Sequence, residues 1–360
     1  MKKMSKMSNQ IKKRIKTKQS IESSSLWTPP KGSDDFLIST GSLLVDLAIS
    51  GRRFKGGGIP VGIFCEIFGD SSRGKTVMLL EIAGMVQRMG GDYLFIDPEA
   101  RVNPQFAKIF GFDLDNDKYF NPDTIEESFK LIKKWNPKGN GPFVILKDSL
   151  AAFASKEEND GKGDEYSGAR KAKEFSQEFR QICRTIAEKE FLFIATNQIR
   201  QNLGAGPFGK KTKATGGEAP KFYSSLRLEL KKPAKEGIIK EEKTIRGVKH
   251  RQVIGVQTDV FVEKSTVSVP HNSGLMRILF DYGIDDITAN LQYIKKNTKN
   301  TQYTLGEKTI GRSLKDAIRY IEHPKEKVMK KRIEALKDDV INLWTDIQKE
   351  FVPDRKKKLR

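Results

Sequence analysis

The chain has 360 residues, 37% of them hydrophobic and 31% charged, with a formal net charge of +20. That is enough length for one large core plus a smaller unit, and enough surplus cation to call for a polyanionic partner, nucleic acid ahead of a membrane surface. No apolar run approaches the ~20 residues of a membrane span, and the basic start lacks the apolar stretch of a signal peptide, so a soluble, cytoplasmic protein is expected.

Residues 1–35 read as a basic arm and linker: the first twenty hold eight Lys or Arg and no acid, and "SSSLWTPPKGSDD" follows. From 36 to 284 short apolar runs alternate with helical periodicity, the pattern of an α/β domain. The runs are "GIFCEIFG", "YLFID", "FVILKD", "FLFIAT", "SLRLEL" and "IGVQTDVFVEK", with helices expected near 76–89, 124–135 and 168–188. The early runs are apolar throughout, as in a sheet covered on both faces. Two stretches fit neither element class, 155–168 and 200–220, and irregular segments of that length inside a core are usually functional. The first is net acidic, an odd surface to set directly against DNA. Residues 285–352 read as a small C-terminal α+β or helical domain, with amphipathic helices in "RSLKDAIRYI" and "KEKVMKKRIEALKDDVINLWTDIQKEF", and 353–360 as a basic tail. Cys65 and Cys183 sit in apolar segments as reduced core residues, and the three scattered histidines suggest no metal.

The stretch "GDSSRGKT", Gly69 to Thr76, lies between an apolar run and a helical one. A glycine-rich turn there exposes backbone N–H groups that cradle phosphates at a helix N-terminus. Gly69 and Gly74 permit the bend, Asp70, Ser71, Ser72 and Arg73 span it, Lys75 reaches the β- and γ-phosphates, and Thr76 offers a hydroxyl to Mg²⁺. Asp148, ending "FVILKD" and followed by Ser149, is the candidate second anchor for the metal. Beyond "YLFI", Asp97 and Glu99 compete to position an attacking water. Glu99 is preferred because it lies further past the strand.

In sequence order, "STGSLLVDLAISG", "FIDPEA", "VILKDSLAAF", "NQIRQNLG", "TGGEAPKFYSSLRLEL" and "GEKTIGRSLKDAIRYI" resemble the RecA-type recombinases, and the resemblance runs from about Ile38 to Phe351. It implies a P-loop ATPase core with a mostly parallel sheet flanked by helices, ATP and Mg²⁺ as cofactors, and a helical filament on single-stranded DNA that pairs with double-stranded DNA. It implies further that Glu99 activates water, that Gln198 senses the γ-phosphate, and that Asn103 and Phe106 meet the adenine. The two irregular stretches become DNA-binding loops, the second with Arg200, Phe208, Lys210, Lys211, Lys213, Gly216 and Gly217. Lys221 and Phe222 would communicate between protomers, and Lys264 would reach the neighbouring subunit's nucleotide. The resemblance also places a short N-terminal helix against the next protomer, where Ile11 and Ile15 suit one apolar contact. Three departures stand out: Arg73 before the second glycine, Thr266 where a second trans lysine is expected, and a basic tail where an acidic one is usual. A hexameric helicase on the same core, and a DNA-coating filament using ATP only as an assembly switch, are the rival readings.

Overall fold

Alternation along the central strands decides the architecture. In the computed structural model, which describes residues 36–153, 167–201, 212–214, 218–233 and 237–355, successive residues of one strand enter different cores. After β1 (Leu37–Ile38), α1 (Leu43–Ser50) and β2 (Ile59–Pro60) comes β3 (Phe64–Gly69), every residue of which is buried. Its Cys65 and Ile67 join one apolar cluster while Phe64 joins another on the opposite face. A strand so divided must be covered on both sides, as in a parallel sheet sandwiched by helices.

The covering helices alternate with the strands. α2 (Lys75–Arg88), β4 (Asp92–Ile96), α3 (Pro104–Ile109), β5 (Tyr119–Phe120), α4 (Ile125–Lys134), β6 (Phe143–Lys147), α5 (Ser167–Glu188), β7 (Phe191–Gln201), β8 (Thr212–Ala214), α6 (Ala219–Tyr223) and β9 (Leu226–Lys231) follow in turn. β10 (Ile238–Ile245), β11 (Val248–Ser265), β12 (Ser273–Leu279) and β13 (Gly283–Ile284) complete the sheet. Its strand order is β13-β12-β11-β9-β3-β7-β6-β4-β5, with β8 added to β7 and β10 to β11. From β9 to β5 the main path is parallel; β11, β12 and β13 are antiparallel. The mostly parallel α/β sheet expected from the sequence is therefore the observed one.

α4 illustrates how local sequence sets an element. Thr124 and Glu127 close a capping box, Glu126 and Glu127 occupy the positive N-terminal turn, and Lys133 and Lys134 the negative C-terminal one. Its buried stripe of Ile125, Ser128, Phe129 and Ile132 has helical spacing. Phe129 meets Phe179 of α5 edge-on at 5.2 Å, and Phe64 stacks on Phe179 at 4.7 Å.

A C-terminal α+β lobe comprises α7 (Asp286–Asn297), the hairpin of β14 (Tyr303–Leu305) and β15 (Lys308–Gly311), α8 (Leu314–Ile321) and α9 (Glu326–Glu350). Its core is shared with α1: Leu43, Leu44 and Leu47 pack with Leu291, Ile321, Leu336, Val340 and Trp344. The basic arm, residues 154–166 and 202–211, and the last residues 356–360 lie outside the described residues.

Two features escaped the sequence reading. The run "IGVQTDVFVEK" belongs to a strand that begins earlier, at Val248, and pairs with β10. The other is Lys147, fully buried at the end of β6. Its ammonium donates to Ser128 Oγ at 2.6 Å and lies 4.1 Å and 4.0 Å from the ring centres of Phe129 and Phe153. Burial drives its pKa well below the ordinary lysine value, opposed by Glu178. The unfolded chain thus holds this proton more tightly, so the Lys147 contribution makes stability rise with pH, from the depressed folded pKa up to about 10.4. Lys147→Met should remove that component of the slope and stabilise the protein at pH 7 by about 1 kcal/mol or more. Urea unfolding of both proteins at pH 7 and pH 9.5 checks this; a variant no more stable at pH 7, or a stability gap that fails to narrow at pH 9.5, contradicts it.

Candidate nucleotide site

β3 ends at a point where only glycine fits. Gly69 has φ 147°, and a Cβ there would lie 2.4 Å from the carbonyl oxygen of Leu230 in β9. The chain turns through exposed Asp70, Ser71 and Ser72 and enters α2 from Gly74, whose φ of 88° is left-handed. The first turn of α2 therefore points its free N–H groups into the space beyond the strand. Lys75 Nζ reaches back over this loop, donating to the carbonyls of Gly69 at 2.9 Å and Asp70 at 2.7 Å. Burial lowers its pKa, partly offset by Asp148 and Asp70.

Asp148 follows β6 and gathers hydroxyls from two other elements. Thr76 Oγ1 of α2 donates to Oδ2 at 2.6 Å, and Thr196 Oγ1 of β7 donates to Oδ1. Desolvation raises the Asp148 pKa, the two hydroxyls and Lys75 pull it down, and Asp97 pushes it up. Next to it, Ser149 Oγ is buried without a hydrogen-bond partner among the described residues.

Asp97 and Glu99 separate cleanly. Asp97 is 1% exposed. It accepts from the backbone N–H groups of Glu99 (3.1 Å), Arg101 (2.8 Å) and Val102 (3.0 Å) and from the Tyr119 hydroxyl (2.7 Å). Burial and that bond push the Tyr119 pKa up to about 12, so the phenol keeps its proton and donates. Asp97 is thus committed to shaping the loop, and Glu99, paired with Arg101 at 3.0 Å, is the carboxylate left at the rim. A cleft of about 340 Å³ is lined by Ser71, Ser72, Gly74, Lys75, Thr76, Val77, Asp97, Glu99, Arg101, Phe106, Asp148, Ser149 and Gln198. Residues from the ends of four strands, β3, β4, β6 and β7, meet in it.

Residues 7–285 match the family model described as the RecA N-terminal domain. The chain belongs to the RecA family. Membership carries ATP-dependent homologous recombination and DNA repair by a DNA-dependent ATPase, with ATP binding, DNA binding and filament formation.

Within this RecA-family cleft Phe106 is 41% exposed and packs edge-on against Phe110 at 5.0 Å. Asn103 is not among the lining residues. Its side chain caps α3 by accepting from Gln105 N–H at 2.7 Å and so fixes the helix that presents Phe106. Arg73 likewise leaves the cleft: its carbonyl accepts from Thr258 Oγ1 of β11 at 3.0 Å. Lys264 Nζ donates to the carbonyls of Lys221 (2.9 Å) and Phe222 (3.0 Å) at the end of α6, and Phe222 is 75% exposed. None of these three lines the cleft of its own chain. Burial, then the Arg227 charge, lowers the Lys264 pKa. Phe208, Lys210, Lys211, Gly216 and Gly217 lie outside the described residues, while Arg200 and Lys213 are backbone register partners between β7 and β8.

Sequence reading missed Thr196, Tyr119 and Glu66. Glu66 had a signal, a carboxylate inside an apolar run. It is fully buried in β3, accepting from Asn197 Nδ2 at 2.9 Å and from Arg227 Nε at 2.6 Å, and Arg227 also binds Glu263. Asn197 Oδ1 in turn accepts from the N–H of Gln198 at 3.0 Å.

Asp97→Asn should test the loop geometry. An amide replaces one acceptor oxygen with a donor and leaves at least one of the four bonds unmade. DNA-stimulated ATP turnover should fall about 100-fold through misplacement of Glu99, with nucleotide affinity changed only a few-fold. Steady-state kinetics beside nucleotide titration reads both; an affinity loss as large as the loss in turnover would contradict the assignment.

Proposed function

We propose that this RecA-family chain forms a helical filament on single-stranded DNA, binds ATP with Mg²⁺ at the Gly69–Thr76 loop, and pairs the coated strand with homologous duplex DNA. The convergence of the β3, β4, β6 and β7 ends in one cleft carries this reading. It brings the residues read as phosphate loop, metal anchor, base and sensor, Gly74 to Thr76, Asp148, Glu99 and Gln198, to the lining of one small volume.

The donor set fits Mg²⁺. Thr76 and Asp148 offer hard oxygens 2.6 Å apart on a desolvated carboxylate, the chemistry a small divalent cation selects. The orphaned Ser149 hydroxyl beside them suits a phosphate oxygen or a metal-bound water. When bound, Mg²⁺ neutralises charge on the phosphates. Lys75 and the N–H groups of the Gly69–Gly74 loop, with Asp70, Ser71, Ser72 and Arg73 spanning it, hold the phosphate chain. Phe106 stacks on the base, and Asn103 steadies it. Glu99 takes the proton of the attacking water.

Gln198 lies toward the end of β7, just before the stretch read as the second DNA loop, and its amide both donates and accepts. It suits a sensor that passes nucleotide state to Arg200, Phe208, Lys210, Lys211, Lys213, Gly216 and Gly217. Lys221, Phe222 and Lys264 face a neighbouring copy, Lys264 completing that copy's nucleotide site.

Glu99→Gln separates chemistry from assembly. Hydrolysis should drop about 100-fold or more, while ATP-dependent filaments on single-stranded DNA persist under electron microscopy and still form D-loops. Wild-type protein that stays unassembled with ATP, Mg²⁺ and single-stranded DNA, or a variant with undiminished hydrolysis, would defeat the reading.

A further inference from the structure

β10 and β11 run past the sheet as a two-stranded ribbon. Beyond a bulge at Ile239/Lys240 the register continues from Lys240↔Val253 to Ile245↔Val248, and all fourteen residues of 240–253 are exposed. Arg246 and Gly247, with φ of 52° and 77°, make the two-residue turn at its tip. A ribbon with neither face covered contributes almost nothing to stability. Its length is therefore not accounted for by packing.

Its charge points to a partner. Lys240, Lys243, Arg246, Lys249 and Arg251 are five cations in fourteen residues, about twice the density of the whole chain, 66 in 360. The two acids are already engaged, Glu241 by Lys243 at 3.0 Å and Glu242 by Lys249 at 3.4 Å. Lys240, Arg246 and Arg251 remain as a net surplus of three positive charges, on a projection that also exposes Ile245 and Val248 at its end.

Its position agrees with the charge. β9 is parallel to β3, with Leu230 beside Gly69, so the ribbon leaves the sheet at the end that carries the phosphate loop. β6 and β7 end on that side too and lead into the two stretches read as DNA loops. At the ribbon's root, Thr258 touches the loop through the Arg73 carbonyl.

We propose that residues 240–253 form a docking element for duplex DNA. A two-stranded β-ribbon has the width to enter the major groove. Lys240, Arg246 and Arg251 would then bind the phosphates along its walls, with Ile245 and Val248 against the apolar edges of the bases. The ribbon thus adds a double-strand site outside the two loops. This inference rests on the filament reading above and names which part of the chain receives the second DNA.

Two full-length variants test it: Lys240→Gln with Arg246→Gln and Arg251→Gln, and a trimmed chain in which Asn-Gly replaces residues 241–252. Filaments assembled with ATP on single-stranded DNA are titrated with a fluorescent duplex oligonucleotide across a salt series. Both variants should capture duplex about tenfold more weakly or worse at 150 mM salt. The slope of log affinity against log salt should shrink by about 2–3, near 0.9 for each phosphate that no longer meets a cation. Single-strand affinity and single-strand-stimulated ATPase should stay within about twofold. Unchanged duplex capture and slope in both variants overturns the inference. So does loss of assembly on the single strand, which would assign the ribbon to contact between copies. Wild-type protein inert toward single-stranded DNA would instead bring down the filament reading itself.

Discussion

One desolvated carboxylate organises the cleft at the strand ends. Asp148 is held by hydroxyls from α2 and β7 where the chain leaves β6, so a single side chain ties three elements together at the strand ends. The two hydroxyls and Lys75 only partly compensate its burial, and Asp97 adds to the upward push on its pKa. A carboxylate in that condition has a strong preference for a cation. Under the proposed function, a divalent cation at Thr76 and Asp148 would relieve that condition.

A second charge system, buried at Glu66, Asn197 and Arg227, runs across the sheet. Glu66, Arg227, Glu263 and Asn197 link β3, β9, β11 and β7 in a continuous polar path. Removing one partner from such a pair typically costs about 3–5 kcal/mol, because the other is left charged and dry. The path connects the backbone N–H of Gln198 to the strand that carries Lys264. It therefore gives the two residues assigned to nucleotide sensing and subunit contact a common rigid support. Lys147 lies on the same face of the sheet, in register with Ala195 and Glu66, but its amine is held among phenylalanines and joins neither system.

The two lobes are joined less simply than a division near residue 285 suggests. α1 is buried along its whole length, and its leucines complete the C-terminal core. Movement of the C-terminal lobe would have to carry α1 or expose those leucines. The ribbon of residues 240–253 is the opposite case, a long segment whose every residue is exposed. Such a segment persists in a folded chain without earning its place through packing.

The sequence by itself determined what is local. The Gly69–Thr76 turn, the helices over 75–88, 125–134 and 167–188, and the apolar strands were legible because spacing, capping and periodicity act between near neighbours. Of the contacts across the fold, the meeting of Thr76 with Asp148 was legible through the motif they belong to, and the others were not. That Asp97 serves its loop while Glu99 stays at the rim depends on Tyr119, 22 residues further on. That Glu66 is paired depends on Arg227, 161 residues away. The ribbon left no trace of alternation, since a strand wet on both faces has no reason to alternate. Tertiary structure alone decided these matters: a polar group's role is set by which partners burial brings to it, and burial is a property of the whole chain.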